Sequence, residues 1–222
     1  MLQNIKAVIF DVDGTLLDSN GVWQEIDEEF MEERDLDLTE DFQKEIDGMS
    51  FHQVAEYCHD TFNFEETPEE LMDIWHDMAR NEYTYNVKAK PGAKDFADFL
   101  KKNNIKMAIA SSNSHELIDP GLKNNELYHH MDLFYTASNI GEAKDNPKIY
   151  QNIAKELGVE PEECLVFDDI IPVINAVNDA GMRSCVVLDQ RSVDIYGKEA
   201  LIECADYHIN DFREIEYAGN NN

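Results

Sequence analysis

Basic residues are what this chain has least of. Across 222 residues, 18 Lys and Arg stand against 47 Asp and Glu, a formal charge of 18 − 47 = −29. A protein that binds a phosphate backbone needs a basic face to displace counterions, so no nucleic-acid partner is expected. Anionic membrane surfaces are excluded on the same ground. An anionic substrate would have to be held locally, by a metal, a few Lys side chains or backbone N–H groups. Long apolar runs are also missing. The run Ala7 to Phe10 is far too short for a membrane span or a signal-peptide core, and Asp11 ends it, so a cytoplasmic location is expected. Cys58, Cys164, Cys185 and Cys204 never form a Cys-x-x-Cys pair and read as small buried apolar residues in a reducing compartment. His129 and His130 are adjacent, but neighbours on a helix point to different faces, which argues against a His-built metal site. What is present is 43% hydrophobic and 10% aromatic residues, which provides a core and excludes a wholly disordered chain. The length suits one domain, or one domain with a small insertion. A monomer is expected, with a dimer as the alternative.

Three runs have the continuous apolarity of strands buried on both faces: residues 5–10, 105–110 and 164–167. Weaker strand patterns cover residues 133–136, 184–188 and 207–209. Helical patterns lie between the later ones, over 91–103, over 147–157 ending at Gly158, and over 172–180 ending at Gly181. Proline near the start and glycine just past the end is the helix asymmetry expected. Alternation of this kind predicts an α/β fold with a parallel sheet. Residues 18–87 break the rhythm. Val22, Ile26 and Phe30 recur at helical spacing, as do Leu71, Ile74, Trp75 and Met78, and no strand pattern intervenes. Between Asp18 and Asp73, 20 acidic residues face only Arg34 and Lys44, which reads as the solvated outer face of small helices. The expected organisation is an α/β core of residues 1–16 and 88–222, with an all-helical domain of residues 17–87 inserted after the first strand.

The chemistry-bearing residues cluster at the predicted strand ends. Asp11 and Asp13, in Asp11-Val12-Asp13-Gly14-Thr15, follow the first strand, and at i and i+2 they share a face while the chain stays extended. Close carboxylates repel unless a cation neutralises them. An Asp-rich turn is the alternative. After the second strong strand come Ser111, Ser112, Asn113 and Ser114, which suit a phosphate and equally suit plain helix capping. Asp168 and Asp169 follow the third. Lys144 precedes the helix that begins at Pro147. In open α/β sheets, ligands sit beyond the carboxyl ends of the strands. Carboxylates, hydroxyls and one Lys gathered there are what a metal and phosphate site requires.

In this order the residues resemble the haloacid dehalogenase superfamily, in its phosphatase and β-phosphoglucomutase-like branch with a helical cap. Asp11 to Thr15 matches the family's Asp-x-Asp-Gly-Thr. Ser111 matches the Ser or Thr after the next core strand. Lys144, with Pro147, matches the Lys of a Lys-Pro-x-Pro segment. Asp168-Asp169 matches the acidic pair ahead of Ala180-Gly181-Met182. Two departures stand out: Asp145 replaces the first family Pro, and Ile170 to Pro172 replaces a Ser-x-x-Gly. The resemblance implies a Rossmann-like core and phosphoryl transfer through an aspartyl-phosphate. Asp11 would be the nucleophile and Asp13 the general acid and base. Mg²⁺ would be held by Asp11, the Asp13 carbonyl and Asp169, with Asp168 beside it. Ser111, Ser112, Asn113 and Lys144 would hold the phosphoryl oxygens.

An acid at position 13 favours phosphate esters over halides or phosphonates, whose enzymes in this superfamily lack it. The expected partner is therefore a small phosphorylated metabolite, such as a sugar phosphate. A mutase of the β-phosphoglucomutase kind usually grips a second phosphate with a cap Arg after a Gly-x-Ser turn. Here that segment reads Gly48-Met49-Ser50-Phe51-His52, with Phe51 at the Arg position. Gly48, Phe51 and His52 are thus the expected specificity residues, phosphatase is the expected activity, and mutase is the alternative. A non-enzymatic phospho-acceptor domain is the remote one, disfavoured by the length and by the helical insertion.

Overall fold

The computed structural model describes residues 1–36, 51–136 and 144–217. It divides into two compact units, Met1–Asn20 with Val87–Asn222, and Gly21–Asn86.

The first unit is built on a parallel six-stranded sheet in the order β3-β2-β1-β4-β5-β6. The strands are β1 Ala7–Phe10, β2 Lys106–Ala110, β3 Leu133–Tyr135, β4 Cys164–Asp168, β5 Arg183–Val187 and β6 Tyr207–Ile209. In the two central strands β1 and β4 every residue is buried. That explains why both read as unbroken apolar runs rather than alternating ones. The predicted strands at 5–10 and 105–110 begin later than their apolarity suggests, at Ala7 and Lys106.

Both faces of the sheet are covered. On one, Phe10 and Phe167, adjacent in register, stack at 5.4 Å, with Phe96 and Phe212 packed edge-on and tilted against them. Phe96 comes from α4 (Ala93–Lys102), whose Ala93, Phe96, Ala97 and Leu100 form its buried stripe. On the other, Ala7, Ile9 and Val166 pack against Ile149, Tyr150, Ile153, Val173 and Val177. These belong to α6 (Pro147–Leu157) and α7 (Ile171–Asp179). Each buried side chain of this size contributes about 1.5–3 kcal/mol relative to exposure. The strand ends that carry the polar residues are therefore held by a rigid core. The remaining helices of this unit are α5 (His115–Asn124), α8 (Gln190–Tyr196) and α9 (Lys198–Cys204).

The second unit holds α1 (Val22–Glu32), α2 (Phe51–Phe62) and α3 (Pro68–Tyr85). Val22, Ile26 and Phe30 are buried as their spacing predicts. On α3 the buried stripe is Leu71, Trp75, Ala79 and Tyr83, a clean i, i+4 series. Ile74 and Met78, expected in that core, are only half-buried. A capping box between Thr67 and Glu70 begins α3. The four cysteines are free; Cys58, Cys164 and Cys185 are buried and Cys204 is half-buried. Among the described residues no helix is long and apolar enough to cross a membrane.

Candidate active site

The carboxyl end of β1 delivers the first acid. Asp11 N–H donates to the Phe167 carbonyl at 2.9 Å, so the ladder to β4 runs one residue past the apolar run and Asp11 emerges beside Asp168. The chain then turns, with Thr15 and Leu17 N–H both donating to the Val12 carbonyl. Gly14 sits at φ +77°, where a side chain is strained. A Cβ there would also lie 2.1 Å from Asn20 Nδ2 and 2.5 Å from Asp169 Oδ2. Glycine is thus required twice, for the turn and for the close approach of those two side chains.

Carboxylate oxygens of Asp11, Asp168 and Asp169 lie within 4.8 Å of one another, and all three residues are buried. Lys144 Nζ lies between two of them, 2.5 Å from Asp11 Oδ1 and 2.7 Å from Asp168 Oδ2. The Tyr150 hydroxyl donates to the Lys144 carbonyl at 3.1 Å and holds the turn that carries this Lys. Burial pushes the Asp11 carboxyl up to about 7; neighbouring Asp169 and Asp13 add to the rise and Lys144 opposes it. Burial likewise raises Asp168 and Asp169 to about 6, against the pull of Lys144. Burial alone would lower Lys144, but the Asp11 and Asp168 carboxylates more than offset it and hold the ammonium well above its usual range. Three carboxylates against one ammonium leave the cluster short of positive charge. A hard, oxygen-liganded dication suits that donor set.

The two acids of the second pair play different parts. Asp168 Oδ1 accepts the Asp169 and Ile170 N–H groups at 3.0 and 3.1 Å, and its Oδ2 faces Lys144. Asp168 thus ties down the turn into α7, where Ile170 itself provides no side-chain cap. Asp169 Oδ2 accepts from Asn20 Nδ2 at 2.9 Å and from Ser192 Oγ at 2.6 Å.

Asp13 is half-buried. Ser19 Oγ donates to its Oδ1 at 2.6 Å and Asn113 Nδ2 to its Oδ2 at 2.8 Å. Ser111 is fully buried at the end of β2, and its hydroxyl accepts the Asn113 N–H at 3.1 Å. The loop after β2 is thereby tied to the loop after β1. Ser112 is exposed, and Ser114 precedes α5 without a side-chain cap bond. The structure thus brings Asp11, Asp13, Ser111, Asn113, Lys144, Asp168 and Asp169 to the carboxyl ends of β1, β2 and β4 and the turn before α6. Of the expected specificity residues, Gly48 and the side chain of Phe51 lie outside the described residues. His52 is exposed on α2 beside Glu56 and Glu69.

Six residues that sequence reasoning gave no role also join this region: Ser19, Asn20, Lys90, Tyr150, Asp189 and Ser192. Asp189 had a usable signal, since it lies two residues beyond β5 and so at another strand end. Asn20 had none, because its partners are 149 and 169 residues away in sequence.

The family model of haloacid dehalogenase-like hydrolases matches residues 8–187. Among curated proteins, "Putative phosphatase YhcW" of Bacillus subtilis is 29% identical over 215 residues, covering 96% of this chain and 95% of that one. "Phosphorylated carbohydrates phosphatase" of Thermotoga maritima is 25% identical over 179 residues, covering 81% and 83%. Among solved structures, a Thermotoga maritima protein named "putative beta-phosphoglucomutase" superposes with a TM-score of 0.80 at 24% identity, covering 94% and 96%, and shares the fold. With a match spanning β1 to the end of β5, the chain belongs to the haloacid dehalogenase-like hydrolase family.

Proposed function

We propose that the protein is a Mg²⁺-dependent phosphatase that hydrolyses a small phosphomonoester, a sugar phosphate or similar metabolite, through an aspartyl-phosphate. The observation that carries this reading is the buried pairing of Asp11 with Lys144 at the end of β1, with Asp13 two residues on. A carboxylate is a weak nucleophile toward a dianion unless charge repulsion is removed. Lys144 supplies one positive charge, and the shortage that remains supports a dication held by Asp11, the Asp13 carbonyl and Asp169, with Asp168 beside them. When bound, Mg²⁺ would neutralise repulsion between nucleophile and phosphate and polarise the phosphoryl oxygens.

Each remaining step falls to a residue of this chain. Asp11 would attack phosphorus in line, while Lys144, Ser111 and, from the exposed side of the loop, Ser112 bind the equatorial oxygens. Asp13 would protonate the leaving alcohol and then take a proton from the water that hydrolyses the aspartyl-phosphate, a role worth roughly 10²–10⁴-fold. Ser19 and Asn113 hold both Asp13 oxygens, so the acid is oriented before substrate arrives. Asn113 therefore acts on Asp13 in this arrangement, and its phosphate contact would be secondary. The division into an α/β core and a helical cap, expected at residues 17–87 and compact over Gly21–Asn86 in the structure, belongs to the same proposal, with Gly48, Phe51 and His52 as its specificity residues. Phe51 in place of a cap Arg favours hydrolysis over the mutase reaction, which must hold a second, desolvated phosphate. Relatives named as phosphatases of phosphorylated carbohydrates and of hexitols point to the substrate class.

The test is release of inorganic phosphate from a panel of hexose, hexitol and pentose phosphates with Mg²⁺, alongside β-glucose 1-phosphate with a bisphosphate primer. Phosphate release that stops in excess chelator is the expected result. Glucose 6-phosphate accumulating much faster than inorganic phosphate would replace the hydrolase reading with the mutase one.

A further inference from the structure

Asn20 forms a junction between two buried carboxylates. Its Nδ2 donates one hydrogen to Asp169 Oδ2 and the other to Asp189 Oδ1, each at 2.9 Å. Because both partners are acceptors, only the amide nitrogen can face them, and the orientation of the side chain is fixed. Space for it exists because residue 14 is glycine. Its backbone is anchored too, since Arg191 donates to the Asn20 carbonyl at 2.8 Å.

Asp189 is in turn immobilised from three sides. Lys90 Nζ lies 2.6 Å from its Oδ2, with both side chains largely buried, and the Arg191 N–H caps its Oδ1 at the start of α8. Lys90 also reaches Asp18 at 2.8 Å. Residues 16–18 and 88–90 are backbone-paired, with Asp18 N–H donating to the Lys88 carbonyl and Lys90 N–H to the Leu16 carbonyl. The chain Lys90–Asp189–Asn20–Asp169 is thus continuous and rests on regular backbone. At its end, Asn20 and Ser192 both donate to Oδ2 of Asp169. Among the described residues no side chain donates to Oδ1.

We propose that Asn20, held by the Lys90–Asp189 ion pair, is a positioning residue that fixes Asp169 for metal binding. The inference rests on the metal-dependent reading above. Donors that lock the outer oxygen of a ligating carboxylate set its rotamer, and losing such a partner typically lowers metal affinity about 10–100-fold. None of the three residues touches the reacting atoms in this arrangement. Their effect should therefore appear in the metal requirement and leave the rate at saturating metal nearly unchanged.

The experiment is Mg²⁺ titration by calorimetry of the full chain as wild type, Asn20→Ala, Lys90→Met and Lys90→Arg, well below each metal-free melting temperature. The Mg²⁺ activation constant and kcat at saturating Mg²⁺ are measured in parallel. Asn20→Ala should bind Mg²⁺ about 10–100-fold more weakly, Lys90→Met should show a smaller loss, and Lys90→Arg should restore most of it. At saturating Mg²⁺, kcat should return to within about threefold of wild type, as expected when only ligand positioning is lost. Variants that melt earlier but bind Mg²⁺ within threefold of wild type would overturn the proposal and leave the metal reading standing. Wild-type protein that binds no Mg²⁺ would overturn both. If Asn20→Ala does not fold, the Lys90 pair decides by the same criteria.

Discussion

Acidic residues fill both units of this molecule and do opposite things in them. In the helical unit, Glu25, Glu28, Glu29, Glu69 and Glu70 lie exposed on α1 and α3, where water and salt screen them. Asp27 is the partial exception; burial and neighbouring Glu28 push it up to about 6. In the α/β unit, Asp11, Asp168 and Asp169 are buried together around one Lys, with carboxyls raised to about 6–7. Acid density alone would point to the helical unit. What marks the candidate site is acid placed where a buried strand ends, in surroundings that make its charge costly.

The sharpest break in this comparison comes from neutralising one acid in each unit. Asp11→Asn should lower phosphate release by roughly 10³-fold or more, since an amide is a poor nucleophile. Glu28→Gln on α1 should stay within about twofold, as exposed substitutions usually do. Asp11→Asn should not destabilise the metal-free fold, because it removes a charge that burial disfavours. Steady-state phosphate release and thermal melting, measured on both variants, check the contrast.

Removing the cation should be nearly as damaging. Lys144→Met leaves Asp11 and Asp168 facing each other without a partner, and breaking a buried pair in this way costs about 3–5 kcal/mol. Proton uptake by the two carboxyls recovers part of that cost. Urea unfolding at pH 7 and pH 5.5 should show the deficit shrinking at the lower pH. Turnover should fall about 10²–10³-fold with the lost phosphate contact.

The raised carboxyls also give the metal-free protein a pH signature. Asp11, Asp168 and Asp169 titrate at about 6–7 in the fold against 3.8 when unfolded. The folded state binds more protons, so stability falls as pH rises through that window and levels off above it. Lys144 is raised instead, and its contribution persists until well past neutral pH. The melting temperature in chelator should therefore rise on going from pH 8 to pH 5.5. Asp11→Asn should flatten that slope, and Mg²⁺ should raise the melting temperature most at pH 8. A slope unchanged in Asp11→Asn would assign the effect to general charge repulsion instead.

The smallest expected effect lies in the helical unit. Thr67→Ala removes the capping box of α3 and should cost about 1 kcal/mol in urea unfolding. Turnover at saturating substrate should stay within about twofold, because the Thr67 side chain is exposed and bonded to Glu70 within its own helix start.

Much of the fold and of the candidate site is legible in the sequence. The central strands announce themselves because both faces are buried, and helix α6 has its bounds marked by Pro147 and Gly158. Asp11, Asp13, Ser111, Lys144, Asp168 and Asp169 are legible because each sits directly after a strand or before a helix. The stripe of α3 was only half legible. Ala79 and Tyr83 carry weaker apolar signals than Met78, yet the helix turns them inward. Asn20, Lys90 and Asp189 were not legible as a unit, since their association depends on Gly14, the paired backbone at 16–18 and 88–90, and the loop after β5. The bonds from the Asp169 and Ile170 N–H groups to Asp168 likewise appear only once the turn into α7 is folded.

The central claim is that Asp11 becomes phosphorylated during turnover. Rapid quenching with substrate and Mg²⁺, then borohydride reduction and peptide mass spectrometry, reports this directly, because borohydride converts an aspartyl-phosphate to homoserine. The account predicts homoserine at position 11 alone, dependent on substrate and absent in Asp11→Asn. Turnover without any reduced residue, or reduction at Asp13, Asp168 or Asp169 instead, would contradict it.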